Sequence, residues 1–114
     1  MKMNSHELEG LVRRAEAMFD SKFPNVDRNV RVVLGQEYTT KEEGFEVWYD
    51  ARIIVFLVGN KWLPDMFGSL LGVCQTQDKA IELAFKDFLN VLNYQKTVYA
   101  EQQDQYFESI GQEE

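Results

Sequence analysis

The stretch TQDKAIELAFKDFLNVLNYQKTVYAEQQDQYFESI, residues 76–110, decides the fold. Its apolar residues Ile81, Ala84, Phe85, Phe88, Val91, Leu92, Val98 and Tyr99 recur at the i, i+3, i+4, i+7 spacing of one helical face. Thr76 is placed to cap the N-terminus, and Asp78 sits in the first turn, where the helix dipole favours negative charge. Gly111 follows the last apolar residue, where helices commonly stop. A single helix over this span measures about 50 Å. A compact domain of this length is only about 35 Å across. The helix is therefore expected to outrun the body, serving as core to about Gln95. From about Lys96 it becomes an acidic, aromatic extension, continuous or mildly kinked.

Working back towards the N-terminus, Leu8, Leu11, Val12, Ala15, Met18 and Phe19 form one stripe of a first helix of about 18 residues. Asn4 and Glu7 are spaced as a capping box, with Met3 and Leu8 as a hydrophobic staple. Phe23-Pro24 ends that helix, because the residue before proline is pushed out of the helical region. Asn29–Tyr38 alternates as a half-buried strand, Thr39–Gly44 reads as a polar hairpin connection, and Phe45–Val58 alternates again. Fourteen residues is long for a strand, so a bulge or break is expected near Asp50-Ala51. The second half of that strand is apolar on both sides and is expected to be covered on both faces. Gly59–Gly68 reads as loop around Pro64, and Ser69–Gln75 as a third strand. The expected fold class is α+β in the order α-β-β-β-α. A three-stranded antiparallel sheet is covered on one face by the N-terminal helix and the long C-terminal helix. The chain is expected to be a single domain, residues 1–114, with 97–114 as its helical extension.

The composition suits such a domain, with 45% hydrophobic and 13% aromatic residues. Met1–Gly10 is polar and does not read as a signal peptide, and the longest apolar run, Ile53–Val58, is too short to span a membrane. The one cysteine, Cys74, leaves no disulfide framework and suits a reducing compartment, so a cytoplasmic address is the expectation. The net charge of −7 is uneven, because residues 97–114 hold Glu101, Asp104, Glu108, Glu113 and Glu114 and no basic residue. That field repels phosphate backbones and disfavours nucleic acid as a partner.

Catalytic chemistry finds little to work with. The sole histidine, His6, falls in the first turn of the N-terminal helix beside Ser5 and Glu7, on a surface helix at a chain end and not in the pocket that catalysis needs. Cys74 has no neighbouring base to activate it. One His and one Cys leave only oxygen ligands for a metal, and the cluster Glu42, Glu43 and Glu46 does not match a calcium loop. Gly68-Ser-Leu-Leu-Gly72 lacks the Lys-Ser/Thr of a phosphate-binding loop. The expectation is a non-enzymatic protein with no cofactor and no metal; an unusual hydrolase using His6 is the catalytic alternative.

The α-β-β-β-α order resembles the layout of the double-stranded-RNA-binding domain. That family reads RNA shape with the loop between its first two strands and with lysines opening its last helix. Here Thr39–Gly44 lacks the family's Gly-Pro-x-His pattern, and the last helix opens Gln77-Asp78-Lys79-Ala80, with one lysine. The resemblance thus implies a topology and leaves the RNA-binding residues unmatched. The alternative of a nucleic-acid-binding domain with this topology would use Arg13, Arg14, Arg28, Arg31 and Arg52 as a basic patch.

Two stretches instead carry the side chains enriched in protein interfaces. One is the loop containing Trp62, Leu63, Met66 and Phe67. The other is the distal helix with Tyr99, Tyr106 and Phe107 among Glu101, Asp104 and Glu108. Together they suggest a protein-binding module or a homodimer joined through the distal helix. One form it could take is a small acidic phage- or mobile-element-type inhibitor, an anti-defence protein whose carboxylates mimic nucleic-acid phosphates.

Overall fold

The computed structural model describes residues 3–113, and the side chains up to residue 111. Two helices, α1 (Ser5–Lys22) and α2 (Gln77–Glu113), lie on one face of an antiparallel sheet. The sheet comprises β1 (Asn29–Lys41), β2 (Gly44–Phe56), β3 (Met66–Gly68) and β4 (Gly72–Cys74). β2 is central, with β1 along one edge and β3 and β4 in succession along the other. Of the third strand expected at Ser69–Gln75 only β4 is strand, and β3 lies wholly within Gly59–Gly68, which the sequence reads as loop.

The break between them has a chemical cause. Ser69, 4% exposed, donates its backbone N–H to the Ile53 carbonyl at 2.9 Å. Its hydroxyl accepts the Ile53 N–H at 2.9 Å, standing in for the strand carbonyl missing there. Gly68 permits this approach, because a Cβ there would lie 2.3 Å from the Ile53 carbonyl oxygen. Leu70 and Leu71 then bulge into solvent, held by the Leu70 N–H donating to the Asp87 carboxylate of α2. Gly72 resumes pairing where α2 crosses closely, with a Cβ position only 2.5 Å from the Ala80 carbonyl oxygen.

β1 and β2 pair without interruption from Asn29↔Phe56 to Lys41↔Gly44. The expected bulge near Asp50 is absent, since the pairing register there is regular; the Asp50 carboxylate lies across Gly35, 2.4 Å from where a Cβ would sit. The hairpin turn is shorter than expected. Thr39–Lys41 extend β1, and only Glu42-Glu43 turn the chain, with Gly44 taking a φ of 115°.

Both helix starts follow their caps. Asn4 Oδ1 accepts the Glu7 N–H at 2.8 Å, and Glu7 accepts the Asn4 side-chain amide at 3.0 Å. Thr76 Oγ1 accepts the Lys79 N–H at 3.3 Å. At the far end α2 runs through Gly111 to Glu113, so Gly111 lies inside the helix and not past it. Gly111 therefore supplies no terminating left-handed turn.

The core forms where the layers overlap. Ala15 and Phe19 of α1, Ile53 and Val55 of β2, and Ala84, Phe85, Phe88 and Leu92 of α2 are all buried. Phe19 stacks against Phe23 at 5.1 Å and reaches Phe67 at 6.3 Å, joining α1 to β3. Arg14 lies 4.0 Å from the Phe85 ring centre and bonds Glu82 at 3.2 Å, tying the two helices. Lys96 of α2 donates to the Lys22 carbonyl at 2.8 Å, a positive charge on the C-terminus of α1. Among the described residues no element lies over the opposite sheet face, which carries Arg31, Val33, Arg52, Ile54 and Phe56. The expectation that the second half of β2 is covered on both faces is corrected: Ile54 and Phe56 are only half-buried.

The molecule measures 73 × 29 × 19 Å, with a radius of gyration of 18.2 Å against about 13 Å for a compact domain of this length. The excess lies at its two ends. Beyond β4, the tip of the β1–β2 hairpin continues as a two-stranded arm. Beyond β3, α2 continues past the sheet.

Glu46 ties the arm to the body, accepting hydrogen bonds from Lys41 Nζ at 2.8 Å, Gln75 Nε2 at 2.9 Å and Trp48 Nε1 at 3.3 Å. The Lys41 bond leads in holding its carboxyl below the ordinary value of 4.5. A depressed folded-state pKa contributes stability present above the unfolded value and lost as pH falls through the folded one. The Glu46 carboxyl should accordingly titrate by NMR with a midpoint below 4.5, and Lys41→Met should move that midpoint upward. Ser69→Ala leaves the buried Ile53 N–H without its acceptor, and should cost about 1–3 kcal/mol in urea denaturation. A loss within about 0.5 kcal/mol, as at an ordinary surface position, would contradict this account.

Candidate functional site

The two stretches singled out in the sequence meet in space. Asn60 Oδ1 accepts the N–H groups of Trp62 and Leu63, both at 2.9 Å, and so turns the loop after β2. The Leu57 N–H donates to the Asp65 carbonyl at 2.8 Å and closes the loop's base. This sends Leu63 into the core at 5% exposure and leaves Trp62 beside α2. The Trp62 and Tyr106 rings meet edge to face with centres 5.2 Å apart, and Tyr106 meets Phe107 at 5.6 Å. Lys61 Nζ sits over both, 4.2 Å from the Tyr106 ring centre and 5.1 Å from that of Trp62.

Not every candidate belongs to this surface. Leu63 and Phe67 are core residues. Met66 is 60% exposed, but pairs with Phe56 and so lies on the open sheet face. Tyr99 is half-buried against Phe23, with ring centres 5.6 Å apart, which anchors the first turn of the extension to α1. Beyond it, Tyr106, Phe107 and Ile110 remain 39%, 63% and 40% exposed. Glu101, Asp104 and Glu108 are exposed at i, i+3 and i+7, and so share one helical face. Glu113's side chain and Glu114 lie outside the described residues. Lys61 was not singled out from sequence; its adjacency to Trp62 was the available signal.

Chemistry elsewhere is sparse. His6 is exposed on the first turn of α1, and Cys74 is half-buried in β4. Among the described residues no group of three or more His, Cys, Asp or Glu is placed to hold a metal ion. Glu46, the partly buried acid of the Glu42–Glu46 group, spends its oxygens on Lys41, Gln75 and Trp48. A groove of about 450 Å³ lies between the hairpin arm and the helix starts, lined by Met3, Leu8, Leu34, Gly35, Gln36, Tyr38 and Gln77. It presents apolar and amide groups and a phenol.

The five arginines do not form one patch. Arg14 is engaged by Glu82, and Arg28 by Asp20 at 2.8 Å and Glu16 at 3.1 Å. The Asp20 hydrogen bond leads in raising the Arg28 pKa. Arg13 lies near Glu9 on α1, whereas Arg31 and Arg52 stand on the opposite, open sheet face. No helix is long and apolar enough to cross a membrane among the described residues.

Tyr106→Ala removes the ring that Trp62 and Lys61 hold. Amide hydrogen exchange over residues 103–111 should then quicken, while amides of residues 81–92 keep their protection. Unchanged exchange over 103–111 would show that the loop does not brace the helix. Compared with protein-family models, with curated proteins and with solved structures, the chain finds no match in any of the three.

Proposed function

We propose that this chain is a non-enzymatic protein-binding module whose contact surface is the distal end of α2 together with Lys61 and Trp62. One observation carries the reading: Tyr106, Phe107 and Ile110 stay exposed on a helix that has left the sheet behind. A helix that needed only to close the core could end near Tyr99. Large apolar groups held contiguously in water mark interaction sites more often than isolated ones do. The neighbouring stripe of Glu101, Asp104 and Glu108 gives the partner its chemistry, a protein surface with an apolar recess bordered by basic residues. A nucleic-acid-binding protein has such a surface. The reading therefore includes the small acidic inhibitor whose carboxylates occupy the place of phosphates, of the kind phages and mobile elements use against host defence.

The test separates the two parts of the surface. The full chain, immobilised, is compared with Tyr106→Ala/Phe107→Ala and with Glu101→Lys/Asp104→Lys/Glu108→Lys on extract of the producing cell and on a panel of basic nucleic-acid-binding proteins. A specific partner should be lost from the aromatic double variant by tenfold or more. It should weaken with salt in the wild type and fail to bind the charge-reversed variant. A partner retained by both variants would contradict the proposal, as would direct retention of nucleic acid in place of protein.

A further inference from the structure

Among the described residues the long outer edge of β1 has no strand beside it, because β1 ends the sheet order and pairs with β2 alone. Thirteen residues of regular strand are exposed there without a proline or a bulge, the features that usually blunt an edge. What β1 does carry is charge, arranged symmetrically about Leu34.

We propose that this edge pairs antiparallel with β1 of a second copy of the chain, about a two-fold axis through Leu34. Two copies related by an axis perpendicular to the sheet keep their helices on the same face, so like-facing residues pair. Centred on Leu34, the register sets Arg31 opposite Glu37 of the second copy and Asp27 opposite its Lys41, each contact occurring twice. Leu34 meets Leu34 at the axis. The neighbouring registers fit less well: centring on Val33 pairs no charges among these positions, and centring on Gly35 sets Asp27 against Glu43 and offers only Arg28 against Glu42, an arginine already held by Asp20 and Glu16. Arg31 and Glu37 are exposed, and among the described residues neither takes part in an ion pair within the chain. The Arg31 guanidinium rests 5.6 Å from the Phe56 ring centre on the open sheet face. The same register gives the arm a neighbour. Tyr38, 63% exposed and edge to face with Phe45 at 5.4 Å, comes opposite Val30 of the second copy. Backbone pairing supplies the affinity and the side-chain charges select the register.

The experiment is sedimentation equilibrium of the full chain from low micromolar to millimolar concentration, in low salt. The wild type should dimerise, more weakly as salt rises. Arg31→Glu and Glu37→Arg each place like charges opposite one another twice per dimer, and each should weaken association about tenfold or more. The double exchange Arg31→Glu/Glu37→Arg restores opposite charges and should restore the dimer, and far-UV circular dichroism of each single variant, unchanged from wild type, shows that the single variants fold. A chain monomeric throughout the range overturns the proposal. So does a dimer indifferent to Arg31→Glu, or a double exchange that fails to rescue. A dimer lost instead on Tyr106→Ala/Phe107→Ala assigns the contact to the distal helix and overturns the β1 pairing, whereas loss of the β1 dimer leaves partner binding by the distal helix untouched.

Discussion

The structure depends on the overlap between the apolar stripe of α2 and residues 51–56 of β2. There Phe85, Phe88 and Leu92 lie over Ile53 and Val55, Phe19 closes the layer from α1, and each is almost wholly removed from water. Burial on this scale, at about 25 cal/mol for each square ångström of apolar surface, is what offsets the entropy of ordering the chain. The overlap is short because the elements run past one another. α2 begins beside β4 and leaves the sheet after β3, while the hairpin extends the opposite way. Both of the chain's long elements therefore end outside the core.

Each overhang is held by polar and aromatic contacts because no apolar layer is available to it. At the arm, one carboxylate, Glu46, collects Lys41, Gln75 and Trp48, linking β1, β2 and the segment after β4. At the other end, Trp62 and Lys61 engage Tyr106. Exposed contacts of this kind contribute little stability individually, on the order of 0.5–1 kcal/mol for a cation over a ring. They set position, leaving most of the Phe107 surface and 40% of that of Ile110 in water. That division, a core that folds the chain and two placed ends that do not, is what makes a binding role the economical reading of the extension.

Periodicity made the helices and the central hairpin legible, because each of their residues reports its own burial. The 3.6-residue stripe of α2 appears as buried Ile81, Phe85, Phe88 and Leu92, and the Asn4 and Thr76 caps form as their spacing implies. The third strand was less legible because its break depends on partners distant in sequence. Leu70 and Leu71 look like strand residues, yet they are turned outward by Asp87 and by the Ser69 bridge to Ile53. Ile54 and Phe56 suggested a covered face because apolar residues imply burial, but a domain this small leaves many such residues at its surface. At the site, Trp62 and Tyr106 each stood out as an aromatic in a polar setting. Their pairing follows only from α2 running past the sheet to reach the loop, which no local pattern encodes.

Small-angle X-ray scattering of the full chain, extrapolated to infinite dilution, tests the central claim most directly. A continuous α2 projecting beyond the sheet, with the hairpin arm extended the other way, predicts a monomer radius of gyration near 18 Å and a longest dimension near 73 Å. A radius near 13 Å, the value for a compact fold of this length, would mean that residues 97–113 turn back onto the body, and would contradict the account.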